Sequence, residues 1–150
     1  IPFQTANSKS SPVGLMFPQP QVMTDTDGEQ LLDDAIGNWW SVIVWGNDPH
    51  KVLPASSINQ LKALGAKLVC VVPQTQRDYL QDRIADDVLV LGDHTGAVKK
   101  WFDDRPTPVV FLRPDKFVAG ACLVQHAPAT LSGILATMGQ PAGRRATLSR

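Results

Sequence analysis

The 150-residue chain has little cysteine, no excess of either charge and no long apolar run. Its two cysteines, Cys70 and Cys122, stand more than fifty residues apart and form no CxxC pair. With only three scattered histidines beside them, they offer no metal-ligand spacing. Each lies in an apolar stretch, "LVCVV" and "VAGACLV", which reads as a small buried hydrophobe. Fourteen basic residues balance fourteen acidic ones, so net charge gives no reason to expect a nucleic acid or a membrane surface as partner. No apolar run approaches the roughly 20 residues of a membrane-spanning helix. The start, "IPFQTANSKSSP", lacks the cationic and apolar regions of a signal peptide, so a reducing cytoplasm is the expected compartment. The chain also lacks an initiator methionine, which gives the expectation of a processed chain or a piece of something longer. GxGxxG, P-loop, GxSxG and HExxH motifs are all missing.

What is present is a regular alternation of apolar runs and amphipathic stretches, with 43% hydrophobic residues to fill one domain's core. Residues 1–12 are polar and read as a linker. The stretch "VGLMFPQPQVMTDTDGEQLL" is broken by Pro18, Pro20 and Gly28, and reads as an extended arm whose Val13, Leu15, Met16, Phe17 and Val22 lie on something. "LLDDAIGNWW" fits a single helical turn capped by Asp33 or Asp34 and ended at Gly37. "WSVIVWG", "KLVCVVP" and "DVLVLGD" are apolar on both alternating faces, as strands covered on both sides are. "PASSINQLKALG" carries an Ile58, Leu61, Leu64 stripe between Pro54 and Gly65, and predicts a helix. A short helical turn is expected at Arg77 to Gln81, and "HTGAVKKWFDD" places Val98, Trp101 and Phe102 on one helical face. "RPTPVVFLRPDKFVAGACLV" reads as two strands around the turn Arg113–Pro114–Asp115–Lys116, necessarily antiparallel. Leu131, Ile134, Leu135 and Met138 form the stripe of a last helix ended by Gly139.

Two parallel strands, an antiparallel pair and a terminal helix make an α/β, thioredoxin-like order. The expected architecture is a central mixed sheet of four to five strands flanked by helices and preceded by the extended N-terminal arm. Residues 1–30 are then linker and arm, 31–139 the thioredoxin-like domain, and 140–150 a flexible tail. The fold also calls for a proline just before the first hairpin strand, usually after a cis bond. Pro108, preceded by Thr107, occupies that place, and a cis bond is expected there from the fold rather than from the dipeptide.

In proteins of this fold with thiol chemistry, the loop after the first central strand carries a cysteine, whose thiolate the next helix stabilises. Here the loop is "GNDPHKVLPAS", with no cysteine. Cys70 falls on a neighbouring strand and Cys122 on the far edge strand, about three spacings of ~4.8 Å apart, beyond the ~7 Å limit for bridging. His50 near Asp48 could form an acid–base pair, as any two polar loop residues can. His94 sits at a helix start and His126 just before one, and the pairs Asp33–Asp34, Asp86–Asp87 and Asp103–Asp104 lie at turns or helix ends, where carboxylates cap and solvate. No residue is assigned a catalytic, cofactor-binding or metal-binding role.

The stretches "VGLMFPQPQV", "LLDDAIG", "WGNDP" and "VVFLRPDKFVAG" together resemble the C-terminal domain of FAD-dependent aromatic-ring hydroxylases of the 3-(3-hydroxyphenyl)propionate hydroxylase type, and more distantly phenol hydroxylase. The resemblance spans residues 12 to 138 and includes no catalytic signature. It implies a parent enzyme that hydroxylates a phenolic ring with FAD, NAD(P)H and O2, the flavin and substrate sites lying in upstream domains. It also implies that this piece is a domain without redox activity, serving in packing on those domains or in subunit association. The consecutive Trp39 and Trp40 fit that role, because in an extended segment only one of them can join the core. Two other readings stand beside it: a stand-alone thiol oxidoreductase or peroxidase, and a small-ligand binding module with a pocket near Trp45, His50 and Pro108.

Overall fold

The structure, a computed structural model, describes residues 12–24, 28–105 and 107–139. The expected tail and most of the linker lie outside the described residues. Among the described residues, seven strands form one mixed sheet: β1 (Gln21–Met23), β2 (Glu29–Leu31), β3 (Ser41–Trp45), β4 (Lys67–Pro73), β5 (Val88–Asp93), β6 (Val109–Leu112) and β7 (Val118–Cys122). Their order is β2-β1-β5-β4-β3-β6-β7. β3, β4 and β5 run parallel, β6 adds antiparallel to β3, and β7 adds antiparallel to β6. The helices are α1 (Leu32–Ile36), α2 (Pro49–Val52), α3 (Ala55–Leu64), α4 (Arg77–Gln81), α5 (Ala97–Asp103) and α6 (Ala127–Gly139).

Period-two alternation along the apolar strands divides the interior into two cores. Val42, Val44, Cys70, Val90, Val109 and Phe111 face one side, against Leu53, Ile58, Leu61 and Leu131 of the helical segments. Ile43, Val69, Val71, Leu91, Val110 and Leu112 face the other, against Leu32, Ile36, Val98 and Phe102. Both faces being covered is why these runs lack polar residues.

The arm supplies the strands beyond the central five. Met16 bridges Phe117 at the start of β7, while Val22 and Met23 pair with Asp93 and Gly92 of β5. Between these contacts the arm crosses from one side of the sheet to the other, and Phe17 is fully buried in the second core. Its ring centroid lies 4.7 Å from that of Trp101.

Two local expectations are corrected. The described backbone has no cis peptide bond, so the bond before Pro108 is trans. Trans is the cheaper isomer by about 0.5–1 kcal/mol for X–Pro, and the Pro108 carbonyl still accepts the Trp45 amide at 3.1 Å to begin the β3–β6 pairing. Neither Asp33 nor Asp34 caps α1; its N-cap position is Leu31, with no side-chain cap. The helix starts directly after β2 because Leu32 is drawn into the core and its amide donates to Pro20 O at 3.0 Å. Asp33 turns instead to Lys116, whose Nζ lies 3.0 Å from its Oδ1.

Candidate functional site

The loop after β3 forms a capped helical turn. Gly46, at φ 75°, donates its amide to Val71 O at 2.8 Å, a conformation that favours glycine. Asn47 Oδ1 accepts the Asp48 amide at 2.8 Å, and Asp48 Oδ1 accepts the His50 amide at 2.9 Å. With Pro49 in its first turn, Asp48–Pro49 is a standard helix start. The N-terminus that stabilises a thiolate in redox-active proteins of this fold is thus occupied here by the chain's own carboxylate.

Cys70 lies on β4, fully buried. Burial pushes its thiol up to about 12; the Asp48 charge adds to this, and a backbone hydrogen bond at Asn47 partly offsets it. Cys122 on edge strand β7 is also shifted upward by burial, with Thr130's side chain opposing. The registers Cys70–Val44, Val44–Val109 and Val109–Cys122 set the two sulfurs in one lateral row, three strands apart. Both cysteines are free, and at neutral pH both are thiols.

His50 does not pair with Asp48 through its ring. Its Nε2 lies 2.8 Å from Asp87 Oδ1, and Lys62 Nζ approaches Asp87 Oδ2 at 2.6 Å. The Lys62 hydrogen bond lowers the Asp87 pKa most; burial opposes it and His50 assists. A carboxylate paired with both partners ties α2 and α3 to the start of β5. His94 pairs with Glu29 at 3.2 Å, linking β2 to the loop after β5. His126 lies in a 3-10 turn before α6. The other acidic pairs also serve structure: Asp103 meets Lys99 at 2.6 Å, and Asp104 lies 3.8 Å from Lys100. Among the described residues no group of three or more His, Cys, Asp or Glu could hold a metal ion.

Trp45 and Pro108 meet through the backbone, the Trp45 ring stacks on Phe102 at 5.8 Å, and the His50 ring turns to Asp87. A cleft of about 570 Å³ is lined by Thr24, Gln30, Arg77, Gln81, Asp87 and Val90 among others. Arg77 is 4% exposed there and donates through Nε to Val90 O at 3.2 Å. Its guanidinium also reaches Asp78 Oδ1 at 2.9 Å and Gln81 Oε1 at 3.1 Å. Sequence reasoning passed over this arginine, because nothing local distinguishes it from a solvated helix residue.

The fold places the chain in the thioredoxin-like class. It superposes on a thioredoxin-like protein from Bacteroides caccae with a TM-score of 0.60 at 16% identity, covering 87% of this chain and 53% of that one. On a cysteine-to-serine mutant of Xylella fastidiosa PrxQ the TM-score is 0.55 at 15% identity, over 84% of this chain and 96% of that one. The family model for the HcaD C-terminal domain matches residues 14–137, and the chain belongs to that family. A 3-(3-hydroxy-phenyl)propionate/3-hydroxycinnamic acid hydroxylase of Mycobacterium avium is 44% identical over 118 residues, covering 79% of this chain and 20% of that protein. The Escherichia coli protein of the same description is 39% identical over 131 residues, covering 87% of this chain and 24% of that protein. The chain therefore spans about a fifth to a quarter of the length of these relatives.

Among the described residues, the helix starts after β3 and β5 do not fit a dinucleotide's pyrophosphate. A pyrophosphate needs free amides at a helix N-terminus and a glycine-rich approach. After β3 the α2 terminus is taken by Asp48; after β5, Asp93 accepts the Val98 amide at 3.2 Å and the Lys99 amide at 2.8 Å at the start of α5. Carboxylates at both positions repel phosphate.

Proposed function

We propose that this chain is a C-terminal domain without redox chemistry of its own, serving packing and subunit association in a cytoplasmic flavin-dependent monooxygenase. The parent enzyme would hydroxylate a phenolic compound with NAD(P)H and O2, its FAD held by the upstream part of the polypeptide. Family membership and the described hydroxylase relatives support the parent activity. One observation carries the non-catalytic role: where redox-active proteins of this fold place a nucleophile, this chain places a helix start closed by Asp48, above a Cys70 kept in its thiol form.

The test uses the full-length hydroxylase that ends in this domain. Wild-type protein is expected to bind flavin and hydroxylate a 3-hydroxyphenyl substrate. The Cys70→Ala/Cys122→Ala variant should keep kcat and kcat/KM within about twofold, the spread expected when no transition-state contact is removed. Absence of flavin-dependent hydroxylation in the wild type, or a tenfold loss in the variant, would refute the reading.

A further inference from the structure

Leu15 and Met16 are 55% and 57% exposed, and Val13 beside them is 52% exposed. They are held in place by the fold. Leu15 N donates to Pro12 O at 2.9 Å across a tight turn in which Gly14 takes φ 88°. Gly14 N donates to Val118 O at 2.9 Å, Val118 N to Leu15 O at 2.8 Å and Phe17 N to Lys116 O at 2.9 Å. Buried Phe17 anchors the following residue. The result is an exposed apolar ridge tied to β7 and its preceding turn by backbone hydrogen bonds.

The ridge continues into a groove of about 310 Å³ that starts at Val13 and runs between Ala119–Ala121 of β7 and Thr130, Gly133, Ile134 and Thr137 of α6. β7 is the sheet's edge strand, and among the described residues the arm pairs with it only at its first turn. Bare strand edges and apolar ridges are features that stable proteins cover. Ridge and groove contain no charged side chain, as expected of a permanent contact rather than of an ionic partner.

Building on the proposed function, we infer that this ridge and groove are the surface on which the rest of the hydroxylase polypeptide packs. Size favours a tethered occupant. Ridge and groove together involve ten residues, whereas a free partner or second copy needs roughly 20–30 residues a side. A segment tethered in the same chain acts at an effective concentration on the order of millimolar, so a small surface suffices. The relatives are four to five times as long as the matched region, and the ridge lies at its N-terminal end, where their additional chain adjoins.

The experiment compares limited proteolysis of full-length wild-type hydroxylase with Leu15→Ser/Met16→Ser. Cleavage in the segment before Pro12 should accelerate on the order of tenfold, as expected when apolar contacts holding one docking equilibrium are lost. Hydrogen exchange at Val42–Val44 should stay unchanged, showing that the domain itself is intact. Gly133→Gln enters the groove from α6, where its Cβ would meet nothing within 4 Å; it should produce the same acceleration even if the arm variant misfolds. Unchanged cleavage in both, with hydroxylation intact in wild type, would overturn the surface and leave the functional reading standing. A change of oligomeric state without faster cleavage would identify a second copy as the occupant and also overturn it. A wild type without flavin-dependent hydroxylation would fail the functional reading instead.

Discussion

Lys116 Nζ sits 3.0 Å from Asp33 Oδ1 while the lysine as a whole is only 3% exposed. The same ammonium donates to Gly37 O and to Pro114 O, joining the β6–β7 turn to the end of α1. Lys116 also holds a left-handed φ of 69°, a conformation that non-glycine residues adopt only when their surroundings enforce it. Lys116→Met should therefore destabilise the domain by about 1–3 kcal/mol, because the part-buried Gly37 and Pro114 carbonyls lose their shared donor. Urea unfolding with an unchanged m-value checks this; a loss below about 0.5 kcal/mol would reduce the clamp to a surface ion pair.

Alkaline pH should destabilise the chain through Cys70. In the unfolded chain a thiol ionises near pH 8.5, but in the folded protein Cys70 is held to about 12. Above pH ~8.5 the unfolded state binds fewer protons than the native state, so stability falls as pH rises, by at most ~1.4 kcal/mol per pH unit for one group. Cys122, shifted the same way, adds to the slope. Stability measured from pH 8 to 10.5 should decline less steeply in Cys70→Ala than in wild type; equal slopes would contradict the burial of that thiol.

Asp87 gives the opposite dependence at the acid end. Its pKa lies below the ordinary 3.8 because of Lys62 first and His50 after it, so its contribution is present above that pH and lost as pH falls through the folded value. The carboxylate is about one-third exposed (34%), which limits its worth. Asp87→Asn should cost less than about 1 kcal/mol at pH 6, with the difference narrowing as pH falls below 3.8. A difference that does not narrow on acidification would assign the effect to shape rather than charge.

Close packing of α6 on β7 makes Gly120 sensitive to any side chain. A Cβ there would lie 2.8 Å from Thr130 Cγ2 and 3.1 Å from Ile134 Cδ1. Gly120→Val should cost about 1–3 kcal/mol through overpacking, seen as a Tm lowered by at least about 4 °C. An unchanged Tm would mean that α6 moves aside freely.

Much of the architecture was readable because local chemistry and tertiary role agree. The "SVIVW" and "LVCVV" runs and the Ile58 and Leu61 positions of the α3 stripe bury the residues their pattern points inward. Elements whose partners lie far along the chain were less legible. β1 and β2 are three residues each, and β1 exists by pairing with β5 about seventy residues later. Lys116 and Arg77 look like surface charges in sequence, and only the distant acceptors Gly37 and Val90 bury them. α2 did carry a local signal, Asp48 before Pro49, but four residues with a partly apolar pattern look like loop. At the loop after β3 the sequence showed which residue type was missing, whereas its replacement by a capped turn over Cys70 depends on the fold that brings β4 beneath the loop.

The most direct measurement of the central claim is thiol-dependent turnover by this chain. Purified protein supplied with dithiothreitol would be assayed for insulin reduction and for peroxide consumption beside its Cys70→Ala/Cys122→Ala variant. The account predicts equal rates, both at the level of dithiothreitol alone. Turnover that is lost when Cys70 is replaced would contradict it.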